Sequence, residues 1–371
     1  MKTGARNKWL GLIILLVVSF RVSVLLACAH ARINEHVLYY PSTDQHGDSI
    51  TLSGKIIVPD KPKGIILLPH YTIASNNEVP STSDKGEMQF LRDEYILILP
   101  DYLGYGVTQE RVHPYLHGEL TARNCVDMLF ASYPVLDSMG VTMPKDTISV
   151  VGFSQGAASA LWTLKLLEEE YSDRVYVKDC YAGSGPYDVA ATYDIAIAQN
   201  KVGLPMVIPM LVSGTSAAYD LGLKREMFYT PELDKIFDEY VTAKKHSFIT
   251  LYFKMPNHRV DYWLTSYGMD KTQPDTRRLY EGMMRSSLVH YPLDSCEVGQ
   301  EIICPEWRPK AQVYIFHSYD DPIVTFKCAE HLQRCWQDLP NVTYDFGNYG
   351  GHMRSIKLFF PRVKKRLKGE K

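Results

Sequence analysis

Residues 147–160 read TISVVGFSQGAASA. An apolar, β-branched run suited to a buried strand ends in Gly152-Phe153-Ser154-Gln155-Gly156, and small residues suited to a close-packed helix follow at once. A strand that becomes a helix with one residue between them must turn very sharply. Glycines on either side of the serine give such a turn room where a Cβ would strike neighbouring backbone. Ala157 and Ala158 let the helix begin close to the sheet. The serine hydroxyl is then held above the sheet at a helix N-terminus. The same five residues also fit a glycine-containing turn with an incidental serine, so the rest of the chain has to decide.

The rest of the chain repeats the strand-then-helix rhythm. HVLYY and SITLSGKIIVP read as strands of alternating character with turn residues between them, whereas GIILLPH (64–70), YILILP (95–100) and TISVVGF (147–153) are short continuous apolar runs, the look of central parallel strands buried on both faces. VYVKDCYAG (175–183) and AQVYIFHS (311–318) continue the series. Helical patterns lie at about 119–139, 155–170 and 325–338. Alternation at this spacing predicts an α/β fold with a mostly parallel central sheet and helices on both faces. Catalytic groups then belong at the carboxyl ends of the strands, where Ser154 lies. Residues from about 187 to 305 break the rhythm. They are rich in Met, Tyr and Pro, carry helical-looking stretches, and fall between two sheet strands. They are expected to form an inserted helical cap rather than more core helix.

The first 31 residues read as a leader. Lys2, Arg6 and Lys8 precede the apolar run WLGLIILLVVSF, Arg21 follows, and small residues come next. Ala27-Cys28-Ala29 and Ala29-His30-Ala31 are both cleavage patterns, and LLAC ending at Cys28 resembles a bacterial lipoprotein box. Two outcomes stay open: free export, or membrane attachment through a lipidated Cys28. A bacterial periplasmic, secreted or outer-membrane location is expected. Loss of the four leader cations takes the net charge from −2 to −6, which offers nothing to nucleic acid. Export permits disulfides. Cys296 and Cys304 flank a short polar stretch and form the best candidate pair, whereas Cys328 and Cys335 lie two helical turns apart and cannot bridge each other.

A serine nucleophile needs a base to take its proton and an acid to orient that base. Downstream, IFHSYDDPIV places Asp320 and Asp321 just past a strand end, and FGNYGGHMRS places His352 after Gly350 and Gly351, beyond the short strand VTYDF. Histidine suits the base because it titrates near neutrality. Pro322 restricts its predecessor to extended backbone and so fixes the direction in which Asp321 projects. The developing oxyanion needs N–H donors. Gln155, following the nucleophile, supplies one; Thr72 or Tyr71, in the loop after the strand 64–70, supplies the other. His113, His117 and Glu119 have zinc-like composition, but Pro114 disfavours a regular helix through both histidines. LGYG lacks the third glycine of a dinucleotide fingerprint. No metal and no cofactor is expected.

Taken together, PHYTIASNNEVPS, LPDYLGYGVT, HPYLHGE, GFSQG, AGSGPYD, DDPIV and GGH resemble the α/β-hydrolase superfamily over about residues 34–368. The likeness is greatest to exported bacterial esterase/lipase-like members related to secretory lipases. It implies Ser154 as nucleophile, Asp321 as acid and His352 as base, acting on small carboxylic esters. Position 71 departs from the pattern, because many relatives carry glycine where this chain has Tyr71. Two competing functions share the core: a serine peptidase of the prolyl-oligopeptidase type, and a non-catalytic binding protein on a hydrolase core. The former usually carries a propeller, for which 371 residues leave no room. The latter typically lacks one of the three residues.

Overall fold

The computed structural model describes residues 33–293 and 301–370. The leader with Cys28, and Cys296, lie outside the described residues. Among the described residues, eight strands form one sheet in the order β1-β2-β4-β3-β5-β6-β7-β8. β1 (Ile33–Thr43) and β2 (Ser49–Pro59) form an antiparallel ribbon, and β2 runs antiparallel to β4 (Ile96–Pro100). From there the sheet is parallel: β3 (Ile65–Leu67), β5 (Thr147–Phe153), β6 (Tyr176–Gly183), β7 (Gln312–Ser318) and β8 (Val342–Gly347). Ile96–Pro100 is buried throughout, as its unbroken apolar run requires when both faces of a strand are covered.

Helices α1 (Gly118–Ser138), α2 (Gln155–Glu170), α8 (Lys327–Trp336) and α9 (His352–Leu367) belong to this core. Three match the sequence expectation closely. α9 is an addition: its Phe359, Phe360 and Val363 pack with the strand residues Leu97, Val151 and Phe316 in one buried cluster. The histidine expected in a glycine-rich loop therefore begins a helix that is anchored on the sheet.

Between β6 and β7 the chain is helical: α3 (Val189–Ala198), α4 (Val207–Ala218), α5 (Pro231–Phe237), α6 (Phe248–Lys254) and α7 (Pro274–Arg285), with shorter turns between. This region builds a hydrophobic cluster of its own around residues such as Phe228, Trp263, Leu279 and Met283. Its two ends meet, because Leu288 N–H donates to the Tyr187 carbonyl at 2.9 Å and Val189 N–H to Ser287 Oγ at 2.9 Å. Mid-insertion it is fastened to the core. The Lys244 ammonium donates to the carbonyls of Gly104, Gln109 and Arg111, and the Glu78 carboxylate accepts the Phe248 N–H at 3.0 Å.

The expected Cys296–Cys304 pair is overturned. Cys304 is bonded to Cys335 of α8, 31 residues away, with Cα atoms 5.5 Å apart. The short spacing suggested a local loop. The fold instead lays the segment returning from the insertion across α8, and it is that tertiary contact which selects the partner. Cys125, Cys180 and Cys328 are free and buried.

Candidate active site

The turn after β5 is as tight as the residue pattern demands. Ser154 has φ 56° and ψ −124°, a positive φ that costs a non-glycine residue free energy and persists only where its surroundings enforce it. Ser154 N–H donates to the Gly183 carbonyl of β6 at 2.8 Å, and Ala157 N–H to the Ser154 carbonyl at 2.9 Å. The flanking glycines are required by contact. A Cβ at Gly152 would sit 2.0 Å from the Gly156 carbonyl oxygen, and one at Gly156 would sit 2.2 Å from that of Pro69. The second approach is informative, because it places the start of α2 directly against the loop after β3.

On one side of Ser154 stand Asp321 and His352. His352 Nδ1–H donates to Asp321 Oδ2 at 2.6 Å, and Ser154 Oγ–H donates to His352 Nε2 at 2.9 Å. The tautomer follows from the partners, since a carboxylate can only accept. Asp321 is held in turn: its Oδ1 accepts the N–H groups of Ile323 and Val324, each at 2.9 Å. Burial pushes its carboxyl up, but the hydrogen-bonded His352 ring and nearby His317 outweigh that and hold it below the usual carboxylate range. Phe153 packs against the His352 ring with centroids 5.0 Å apart. Asp320 points elsewhere. It accepts Ser318 Oγ–H and the Gly351 N–H, and so fixes the glycine turn that delivers His352.

On the other side lies the loop 69–73, held at several points. Tyr102 Oη donates to the His70 carbonyl at 3.1 Å, Tyr105 Oη to the Ile73 carbonyl at 2.7 Å, and Tyr71 N–H to Glu87 Oε1 at 2.8 Å. The Thr72 hydroxyl pairs with Tyr115 Oη at 2.7 Å. Of the two alternatives for the second N–H donor, Tyr71 has its amide committed to Glu87. Gln155 begins α2, and its side-chain amide donates to His113 Nε2 at 2.9 Å, while His113 Nδ1–H donates to the Leu103 carbonyl at 2.7 Å. Burial lowers His113 to about 3, so its ring stays neutral and can accept from Gln155. The loop carrying Leu103 is braced by Asp101, which is fully buried and accepts Ser53 Oγ–H at 2.6 Å and Ser81 N–H at 2.9 Å.

No family model matches the chain. Among curated proteins it is 24% identical over 249 residues to secreted triacylglycerol lipase LIP5 of Malassezia furfur, covering 67% of this chain and 57% of that one. It is 22% identical over 326 residues to secreted triacylglycerol lipase LIP3 of Malassezia restricta, covering 81% and 62%. The chain thus spans less than two thirds of the length of either relative. Among solved structures, the rice cell wall degrading esterase LipA from Xanthomonas oryzae superposes with a TM-score of 0.77 at 17% identity, covering 94% of this chain and 95% of that one. Candida antarctica lipase A superposes with a TM-score of 0.65 at 14% identity, covering 91% and 78%.

The chain has the α/β-hydrolase fold. Ser154 is 8% exposed and lines a cavity of about 290 Å³ between the core and the insertion. The core contributes Thr72, Tyr115 and His352 to the wall, and the insertion contributes Leu204, Leu211 and Ile249. Tyr71 lies in the same wall, with its hydroxyl 3.2 Å from where a Cβ at Gly86 would stand.

The structure therefore brings Ser154, Thr72, Tyr71 and His352 into one cavity wall, with Gln155 next to Ser154 in sequence and Asp321 bonded to His352. The histidines weighed for metal binding serve elsewhere: His113 holds Gln155, and His117 Nδ1 accepts the Leu120 N–H at 3.2 Å to cap α1. Sequence reasoning overlooked Glu87, Tyr102, Tyr105 and the positioning part played by His113. Tyr102 and Tyr105 lie inside the DYLGYG motif, which was readable, but a contact to a backbone carbonyl 32 residues away leaves no mark in a sequence.

Proposed function

We propose that the chain is an exported serine hydrolase that cleaves carboxylic esters through an acyl-enzyme on Ser154. The observation that supports this most is the unbroken chain of hydrogen bonds from Asp321 through His352 to Ser154, at 2.6 and 2.9 Å, ending at an apolar cavity. His352 Nε2 takes the hydroxyl proton as Ser154 Oγ attacks the ester carbonyl. The negative charge that develops on the carbonyl oxygen is met by the backbone N–H groups of Gln155 and Thr72. Collapse returns the proton from His352 to the departing alcohol. Water then attacks the acyl-enzyme by the same route, with His352 again as base and then acid.

Residues 187–305 act as a cap in this reading, since Leu204, Val207, Leu211, Phe248 and Ile249 supply an apolar wall for the acyl chain. The nature of the curated relatives, which are secreted triacylglycerol lipases, supports both the ester chemistry and export through the leader 1–31, with lipidation of Cys28 as the alternative to free release. A fluorophosphonate should add its mass to the peptide containing Ser154, and p-nitrophenyl esters should be hydrolysed. Ser154→Ala should lose both, with kcat down by about 10⁶-fold. Labelling that persists in Ser154→Ala would overturn the mechanism. Turnover of proline-containing peptides in place of esters would overturn the substrate class.

A further inference from the structure

Glu87 is a carboxylic acid buried to 5% exposure at the start of a single 3₁₀ turn, Glu87–Phe90, outside the Ser154–His352–Asp321 chain. The residue before it, Gly86, has φ +99°, and this backbone reversal directs the Glu87 side chain inward. Its Oε1 accepts the Tyr71 N–H at 2.8 Å, across sixteen residues of sequence. Burying a carboxyl group costs several kcal/mol unless hydrogen bonds compensate it, so one placed here asks for a reason.

The reason lies in the geometry of the loop after β3. Each side of Thr72 is fixed separately: Tyr105 Oη holds the Ile73 carbonyl and Tyr102 Oη holds the His70 carbonyl. Two peptide planes meet at Tyr71: the His70 carbonyl and the Tyr71 N–H share one, and the Tyr71 carbonyl and the Thr72 N–H share the next, whose carbonyl pairs with His70 Nδ1 at 2.6 Å. Glu87 holds the first plane at its Tyr71 N–H end, opposite the Tyr102 hydroxyl on the His70 carbonyl. With the plane before Tyr71 fixed, the φ and ψ of Tyr71 set the direction of the Thr72 N–H in the plane that follows. We propose that Glu87 is a positioning residue for the oxyanion site, acting through Tyr71 to aim the Thr72 N–H at the acyl oxygen. This rests on the serine-hydrolase reading above and deepens it. Glu87 touches neither substrate nor nucleophile.

The test compares wild type with Glu87→Gln, Glu87→Asp and Glu87→Ala, using a short soluble p-nitrophenyl ester and the rate of fluorophosphonate labelling. Glutamine keeps an acceptor oxygen at the same reach, aspartate keeps the carboxyl group but is one methylene too short, and alanine has neither. Folding is checked by the thermal transition. Loss of one oxyanion donor costs about 10²- to 10³-fold in kcat. Glu87→Ala and Glu87→Asp should lose kcat by about 10²-fold with KM within about threefold, and their labelling should slow in parallel. Glu87→Gln should recover to within about tenfold of wild type. If Glu87→Ala does not fold, Glu87→Asp against Glu87→Gln carries the same comparison. Folded Glu87→Asp within about twofold of wild type, or Glu87→Gln as impaired as Glu87→Asp, overturns the proposal. Wild type that neither labels nor hydrolyses esters would instead defeat the serine-hydrolase reading.

Discussion

The two flanks of Ser154 are built on different plans. The flank of the proposed acid and base is a series of side chains, with Asp321 fixed by two backbone amides, His352 fixed by Asp321, and Ser154 bonded to His352. The proposed oxyanion flank is a loop of backbone whose carbonyls and amides are held from outside by Tyr102, Tyr105 and Glu87. On the first flank the chemistry belongs to residue types that no other residue can replace. On the second, any residue has the N–H that is needed, and what matters is where it points. The first flank should therefore be brittle to substitution at the acting residues themselves. The second should tolerate change at the acting residue and be sensitive at its supports.

The sharpest test of this contrast is on the acid. Asp321→Asn should lower kcat for ester hydrolysis by about 10⁴-fold, because an amide cannot hold the required His352 tautomer. Asp320→Asn should lose much less, since Asp320 fixes the Gly351 turn and does not touch the base. A collapse in Asp320→Asn with Asp321→Asn nearly unchanged would reverse the two roles.

A middle-sized effect concerns pH. Burial raises the Glu87 carboxyl from its ordinary 4.5 to about 7. The folded chain therefore holds a proton on Glu87 that the unfolded chain has already released between those values. Stability from this group is fully present below pH 4.5 and is lost as pH rises through about 7. The change is at most about 3 kcal/mol. Urea unfolding of wild type and Glu87→Gln across that window should give a difference curve with this downward slope for the wild type. Parallel curves would show that Glu87 titrates normally.

The smallest effect sharpens the oxyanion flank. Thr72→Ala keeps the backbone amide and removes only the hydroxyl bonded to Tyr115. Its kcat should fall by less than about tenfold, the scale of one lost neutral hydrogen bond. A loss near 10²-fold, typical of a missing oxyanion donor, would assign the donor to the Thr72 hydroxyl rather than its N–H.

Much of this molecule can be read along the chain. The α/β alternation follows from apolar runs and helical spacing, and α2 falls at Gln155–Glu170 as its pattern predicts. Gly152, Ser154 and Gly156 declare the sharp turn, because a residue forced to positive φ between two steric clashes admits almost no other composition. Pro322 narrows the choice between two adjacent carboxylates, because it constrains the backbone of its neighbour. These are local effects, set within a few residues. What lay hidden depends on groups far apart in the sequence. Cys304 meets Cys335 only once the insertion has returned across α8, and Glu87 meets Tyr71 only once the loop after β3 folds over it. The C-terminal helix that begins at His352 was missed because its apolar face means little until β5 and β7 provide a surface to cover. Side-chain identity carries Ser154, Asp321 and His352 into the sequence as letters. The direction of a backbone amide carries no letter, so only the packing of distant elements decides it.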